Sequence, residues 1–168
     1  VYGYELVVLD KVAMEDQVVS STIIRQELLE GHMEKVNSLL GRCYSIEGTV
    51  VHGNQIGRKL LSMPTANIYP SFEKLLPPNG VYVTTIETTF GKYEGITNIG
   101  YKPTIGGETR PGVETYLFDF DGDLYGQVIK VDFYTYERGE YKYDSLEELK
   151  EQMFRDKDFG KKYFEMNR

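Results

Sequence analysis

The fold is decided by residues 44–67, which read YSIEGTVVHGNQIGRKLLSMPTAN. Residues 45–51 are rich in β-branched and apolar types and predict a strand, and a glycine-punctuated basic loop follows. Gly53 and Gly57 allow the backbone to turn tightly and to approach a bulky anion, while Arg58 and Lys59 supply positive charge. Hairpin loops that bind nothing can have the same composition, so the loop alone leaves both interpretations open.

The segment ends in Pro64-Thr65-Ala66-Asn67, which we interpret as a polar turn. Hydroxyl and amide oxygens are hard ligands of the kind that Mg²⁺ accepts. Thr65 and Asn67 beside a basic glycine loop therefore indicate a site for a metal-bound nucleotide. The loop is not of the Walker type, because no Gly-Lys-Ser/Thr triplet occurs in the chain.

Further β-type runs follow at short spacing. Turn-forming clusters of Gly, Pro, Asn and Asp separate them, for example at residues 77–80 and 121–123. This spacing predicts a mainly β protein built on an antiparallel barrel or sandwich. The predicted strands are Ser45–Val51, Gly80–Glu87, Tyr93–Ile99, Val113–Phe120 and Tyr125–Tyr136.

A helix is predicted at the C-terminal end of the chain. Asp144 or Ser145 is its expected N-cap, and a glutamate follows in the first turn. We expect it to pack on the barrel through an apolar face. The residues assigned to this face are Leu146, Leu149, Met153 and Phe154.

The first 40 residues have a different pattern. Val1–Asp10 contains a continuous apolar run that predicts a strand, and Ser20 or Ser21 is the expected N-cap of a helix that ends at Gly31. A second short helix is predicted over Glu34–Leu40. One strand and two helices are too few to bury their own apolar faces, so we expect a short α/β remnant of a preceding domain.

Composition excludes several classes of function. The formal charge of -7 and the dispersed basic residues disfavour a nucleic-acid partner, including the alternative of a small oligonucleotide-binding barrel. No run approaches the ~20 apolar residues that span a membrane.

The single Cys43 rules out an internal disulfide and fits a reducing compartment. His32 and His52 have no companion at metal-ligand spacing.

Glu114 is the candidate catalytic base. Strand alternation over residues 113–120 places it on one face with Tyr116, Phe118 and Phe120. A carboxylate buried against an aromatic surface costs free energy unless it is paired, and such a position is typical of a general base. The alternative is a strand-end glutamate that reaches back to water.

Arg138, Tyr141, Lys142 and Tyr143 lie between the last predicted strand and the C-terminal helix. Arginine and aromatic side chains there could flank a flat heteroaromatic ring. An exposed loop without a ligand is the alternative.

Short motifs follow one another in a fixed order from about Leu40 to the C-terminus. They are His52-Gly53, Gly57-Arg58, Pro64-Thr65-Ala66-Asn67, Asn98-Ile99-Gly100, Pro103-Thr104, Val113-Glu114-Thr115, Leu124-Tyr125-Gly126, Arg138 and Tyr143-Asp144-Ser145-Leu146. In order and spacing these motifs resemble riboflavin kinase. Residues 20–25 followed by Gly31 and residues 40–42 resemble the end of the FMN adenylyltransferase module of the bacterial bifunctional riboflavin kinase/FAD synthetase. We therefore expect a remnant of the adenylyltransferase domain over residues 1–40 and a riboflavin kinase domain over residues 41–168.

The resemblance implies a closed six-stranded antiparallel barrel with a C-terminal helix. It also implies a cytoplasmic enzyme that phosphorylates the 5′-hydroxyl of riboflavin with ATP and Mg²⁺, giving FMN and ADP. Glu114 is then the base, and Thr65 and Asn67 hold the metal. The positions implied for ATP are Gly53, Lys59, Asn67, Leu117, Asp119 and Tyr125, and those implied for flavin are Arg138, Tyr141 and Tyr143.

Three departures from the family pattern affect these expectations. Leu61-Ser62-Met63 replaces the usual Leu-Gly-Phe, and Tyr143 replaces the usual Phe. The His-x-Gly-His motif of adenylyltransferases is absent, so the chain itself is not expected to make FAD. The alternative to an enzyme is a module that binds flavin or nucleotide without turnover.

Overall fold

The computed structural model describes residues 3–8, 10–14, 17–53, 65–103 and 109–167. Strands and helices in these ranges are numbered in chain order. They are β1 (Ala13–Met14), β2 (Gln17–Val18), α1 (Ser21–Glu30), α2 (Met33–Leu40), β3 (Tyr44–Val51), β4 (Thr65–Ile68), β5 (Gly80–Thr88), β6 (Gly91–Pro103), β7 (Thr109–Leu117), β8 (Val128–Arg138) and α3 (Leu146–Met166).

Strands β3 to β8 form a closed antiparallel barrel in the order β3-β4-β7-β6-β5-β8, and β8 pairs back onto β3. The sequence prediction of a six-stranded barrel with a C-terminal helix is confirmed. Alternate residues of β7 fill the interior, because Val113, Thr115 and Leu117 are all buried. Glu114 and Tyr116 lie between them and therefore face outward.

The segment Thr65–Asn67, which we interpreted as a turn, belongs to strand β4. Asn67 lies opposite Val51 of β3 and Glu114 of β7. Ile68 is fully buried in the core. Four residues carry a weak strand signal on their own, and pairing on both sides stabilises this strand.

The other predicted strands also have different ends. Strand β5 ends at Thr88, β6 spans Gly91–Pro103, and β7 begins at Thr109. Strand β7 ends before Phe118, so neither Phe118 nor Phe120 continues the alternation. Asp119 has a φ of 56°, a left-handed conformation that an extended strand does not accommodate. Strand β8 begins at Val128 rather than at Tyr125, whose N–H donates to the Asp123 carboxylate over 2.9 Å in a turn.

The predicted helix signals near the N-terminus are confirmed. The Ser20 hydroxyl accepts a hydrogen bond from the Ile23 N–H at the start of α1, and Gly31 ends the helix with a φ of 82°. Gly41 ends α2 with a φ of 66°. Both glycines adopt the left-handed conformation that favours glycine at this position.

The strand predicted over Val1–Asp10 is wrong for the described residues. Residues 3–8 and 10 have no regular secondary structure. Leu6 and Val8 are 81% and 80% exposed. An apolar run forms a stable strand only next to partner strands, and here the barrel strands pair with one another. The described strands of this region are β1 and β2, of two residues each.

Helices α1 and α2 pack against the barrel. Met33 and Val36 are fully buried and belong to the same apolar cluster as the barrel interior. The Asn37 amide donates to the Phe133 carbonyl over 2.8 Å and accepts from the Tyr44 N–H over 2.7 Å. These contacts join α2 to β3 and β8, and the division at residues 40 and 41 stays a prediction.

Helix α3 packs on the outer face of the barrel. Its N-cap is Ser145, whose hydroxyl accepts from the Glu148 N–H. Gly160 permits close contact, because a Cβ there would lie 3.0 Å from Ile96 Cγ2. The predicted apolar face is wrong at two of its four positions, because Leu146 and Phe154 are 50% and 43% exposed. The side of α3 that faces the barrel carries Leu149, Met153, Asp156, Gly160 and Phe164.

Candidate active site

A cleft of about 360 Å³ lies between the outer face of the barrel and helix α3. Strands β4, β6 and β7 form its floor, while the segment after β8 and the first half of α3 form its walls. Five of the site residues predicted from the sequence line this cleft. They are Thr65, Glu114, Arg138, Tyr141 and Tyr143.

Glu114 lies at the centre of the polar floor. It is opposite Asn67 on one neighbouring strand and Asn98 on the other. The Thr65 hydroxyl donates to Glu114 Oε1 over 2.5 Å. The carboxylate is therefore oriented by a hydroxyl from the adjacent strand, and strand pairing on both sides fixes the backbone that carries it.

Arg138 stands at the end of β8 and reaches helix α3. Its Nε donates to Asp156 Oδ1 over 2.9 Å, and its Nη2 donates to Asp156 Oδ2 over 2.5 Å. The guanidinium carbon lies 5.8 Å from the centre of the Tyr141 ring. Burial raises the pKa of the Tyr143 hydroxyl. One wall thus combines a bidentate ion pair with two tyrosines.

Glu137 adds a second carboxyl group next to this ion pair. It is an extra residue of β8, since Val81 pairs with Arg138 and Tyr82 with Tyr136. Burial raises the pKa of Glu137 to about 7, and the Asp156 carboxylate adds to the rise while Arg138 opposes it. Among the described residues, its Oε2 is one of the buried side-chain atoms without a hydrogen-bond partner.

The positions assigned to ATP do not all lie together. Gly53 is next to Asn67, and a Cβ at Gly53 would come within 2.7 Å of Asn67 Oδ1, so a larger residue there would force the Asn67 amide to move. Tyr125 stacks on His52, with ring centres 3.9 Å apart. These residues lie where β3, β4 and the turn before β8 meet.

Two other ATP positions are engaged elsewhere, and one is not described. Leu117 is 4% exposed and belongs to the barrel core. Asp119 forms an ion pair with Lys161 of α3 over 3.2 Å. Lys59, with the whole loop over 54–64, lies outside the described residues.

The donors assigned to a metal fit a hard divalent cation. Thr65 supplies a hydroxyl and Asn67 an amide, and the carboxylate of Glu114 is hydrogen-bonded to the first and opposite the second. Oxygen donors of these types are those that Mg²⁺ prefers. The roles themselves stay predictions.

A carboxylate and histidine cluster lies away from the cleft. The sequence reading found no companion for His32, but Glu27, Glu30 and His32 place ligand atoms within 4.8 Å of one another. The Lys35 ammonium already binds Glu27 over 2.5 Å. We assign no ligand to this cluster.

Sequence reasoning missed Asn98 as a floor residue and Asp156 as the partner of Arg138. Asn98 belongs to the motif Asn98-Ile99-Gly100, which by itself predicts no role for this residue. Asp156 could have been found, because a carboxylate interrupts an otherwise apolar helix face at the spacing of Met153 and Gly160. Phe154, which is 43% exposed, lies outside this face, although its apolar side chain suggests the opposite.

Comparison with known proteins agrees with this geometry. The family model described as Flavokinase, riboflavin kinase, matches residues 40–164. The bifunctional riboflavin kinase/FMN adenylyltransferase of Bacillus subtilis is 39% identical over 158 residues, which are 93% of this chain and 50% of that protein. The chain therefore spans about half the length of the curated relatives it matches.

Two solved structures share the fold. A crystal structure from Streptococcus pneumoniae that bears the name macrolide-efflux protein has a TM-score of 0.82 and 34% identity, covering 90% of this chain and 49% of that one. The riboflavin kinase from Trypanosoma brucei has a TM-score of 0.53 and 27% identity, covering 72% of this chain and 76% of that one.

Together with these matches, the closed barrel and the cleft beside its C-terminal helix identify the protein class. It is a kinase built on an antiparallel β-barrel. The chain belongs to the riboflavin kinase family. In the part of the chain that the structure describes, no helix is both long and apolar enough to cross a membrane.

Proposed function

We propose that this chain phosphorylates the 5′-hydroxyl of riboflavin with ATP and a divalent cation, Mg²⁺, to give FMN and ADP. The observation that carries the proposal is the position of Glu114 at the floor of a cleft with arginine and tyrosine in its wall. A flat aromatic ring fits between such side chains, and a hydroxyl to be phosphorylated needs a base within hydrogen-bond reach.

Glu114 accepts the proton of the riboflavin hydroxyl as its oxygen bonds to the γ-phosphorus of ATP. The bond between this phosphorus and the oxygen that bridges it to the β-phosphorus breaks, and ADP leaves. Thr65 orients the carboxylate through the hydrogen bond of 2.5 Å. Positioning and charge neutralisation provide most of the rate acceleration in phosphoryl transfer, so one base is sufficient.

Thr65 and Asn67 would hold the divalent cation, which supplies neutralisation of phosphate charge when bound. Arg138, Tyr141 and Tyr143 contact the flavin, and Gly53, Lys59, Asn67 and Tyr125 contact the nucleotide. The resemblance also assigns Leu117 and Asp119 to the nucleotide, although Leu117 is buried in the barrel core and Asp119 pairs with Lys161. The whole protein, we further propose, is a cytoplasmic enzyme whose other part adenylylates FMN to FAD, because the relatives are named as bifunctional.

Mass-spectrometric detection of FMN from riboflavin, ATP and Mg²⁺ tests the activity. Glu114→Gln tests the base, because glutamine keeps the oxygen that accepts from Thr65 but cannot take a proton. We expect kcat to fall about 10²-fold or more, with riboflavin affinity retained. Glu151→Gln is the matched control, since Glu151 is exposed on α3 and pairs with Arg155 over 3.6 Å.

The possible results separate the proposals. Wild-type turnover in Glu114→Gln would remove Glu114 as the base. Binding of riboflavin and ATP by the wild-type chain without FMN formation would instead favour a binding module.

A further inference from the structure

Helix α3 carries a buried carboxylate into the wall of the cleft. Asp156 is 2% exposed and lies on the side of the helix that faces the barrel. Both of its oxygens are used. Oδ1 accepts from Arg138 Nε over 2.9 Å and from Gln152 Nε2 over 2.7 Å, and Oδ2 accepts from Arg138 Nη2 over 2.5 Å. A carboxylate with these three donors has little freedom to rotate.

The same contacts fix the plane of the arginine. Arg138 Nη1 donates to the Gly139 carbonyl over 2.9 Å, so three of the five guanidinium N–H groups are bound along the edge of the group. The flat face of the guanidinium is not used by these bonds. Such a face is the part of an arginine that stacks on an aromatic ring.

Arg138 needs this support because of where it stands in the chain. It is the last residue of β8, next to the extra residue Glu137, and the chain has no regular secondary structure from Gly139 to Asp144 apart from a bend. Strand pairing on this side ends with Val81 opposite Arg138. A long side chain in such a place has many rotamers unless a tertiary contact selects one.

We propose that Asp156 is a positioning residue for the flavin, which acts by holding the Arg138 guanidinium edge-on so that its face is presented to the isoalloxazine ring. The inference rests on the proposed function. Gln152 supports it by fixing Asp156 from one helical turn away. Helix α3 would thus be part of the flavin site, and the transfer chemistry on the barrel floor would not depend on it.

Asp156→Asn tests this with riboflavin binding, followed by flavin fluorescence, and with kinetics for both substrates. Asparagine keeps the shape but loses the charge, so we expect the riboflavin Kd to rise about tenfold, the scale for losing a charged hydrogen bond, while the KM for ATP stays within about twofold. Glu151→Gln, exposed on the same helix, is the control and should leave both values unchanged.

A second arm shows whether the effect passes through Arg138. In the Arg138→Met background, Asp156→Asn should change the riboflavin Kd less than about twofold, because the group that it orients is gone. Full additivity of the two substitutions, or equal losses for riboflavin and ATP, would overturn the proposal. If Asp156→Asn does not fold, Gln152→Met replaces it, and an unchanged riboflavin Kd in that variant would overturn the proposal.

Different results would contradict the positioning role of Asp156 and the proposed kinase function. Wild-type protein that binds riboflavin but forms no FMN would contradict the proposed function, and the binding experiments would still decide the role of Asp156. Wild-type protein that binds no riboflavin would overturn both.

Discussion

Glu137→Gln should stabilise the protein at alkaline pH and leave its stability unchanged in acid. The raised pKa of Glu137 means that the folded protein holds this proton more tightly than the unfolded chain does. The stability that the protonated Glu137 side chain contributes is therefore fully present below 4.5, its pKa in the unfolded chain. This contribution is lost as pH rises through about 7, its pKa in the folded protein. Glutamine is neutral throughout, so it removes this loss.

The magnitude follows from the two pKa values. The rise of the Glu137 pKa from 4.5 to about 7 corresponds to a free energy of about 3 kcal/mol, because each pKa unit is equivalent to about 1.36 kcal/mol. Because the side chain is only partly buried, we discount this to about 2 kcal/mol. The free energy of unfolding of Glu137→Gln should equal that of the wild type near pH 4.5 and exceed it by about 2 kcal/mol at pH 8.

Urea unfolding followed by circular dichroism at several pH values between 4.5 and 8 measures this difference. The chain has no tryptophan, which removes the usual fluorescence probe. Glu151→Gln is the matched control, and its difference from the wild type should not vary over the same pH range. A Glu137→Gln variant that is no more stable than the wild type at pH 8 would refute the reasoning.

The remaining predictions concern the metal donors and the second activity of the relatives. Thr65→Ala or Asn67→Ala should weaken Mg²⁺-ATP binding far more than riboflavin binding, because an oxygen ligand is lost while the cleft wall with Arg138 and the two tyrosines is intact. Calorimetric titration with each ligand measures the two affinities. Equal losses for both ligands would indicate a damaged fold. The 168-residue chain alone should form no FAD from FMN and ATP, since the described part of residues 1–40 has only two helices and two paired strands of two residues each, and a nucleotide site needs a preorganised frame. FAD made by contaminant-free protein would contradict this.

Local signals in the sequence were reliable where the structure depends on local chemistry. Ser20 and Ser145 cap their helices as predicted, and Gly31 and Gly41 end the helices before them. A cap needs only a side-chain oxygen or a left-handed backbone within one turn, and both can be read from neighbouring residues. The recurring β-type runs and turn clusters predicted an antiparallel barrel or sandwich for a similar reason, and only the family resemblance implied the closed six-stranded barrel.

Features that depend on a distant partner could not be read in this way. Strand β4 is four residues long and exists because β3 and β7 pair with it on both sides. The extra residue Glu137 reflects the register of β8 against β5, which no local pattern encodes. The exposed run from Leu6 to Val8 shows the opposite error, since its composition suits a strand that pairs with no other strand in the described part of the chain.

The two sides of the cleft are held by different physical means, and this difference explains which site residues could be anticipated. Glu114 lies mid-strand with paired residues on both sides, so its direction follows from strand alternation. Arg138 lies at a strand end, and its direction depends on Asp156, eighteen residues further along the chain. Substitutions on the barrel side of α3 should consequently change flavin affinity before they change the transfer step, because the helix supports the arginine and the strands support the base.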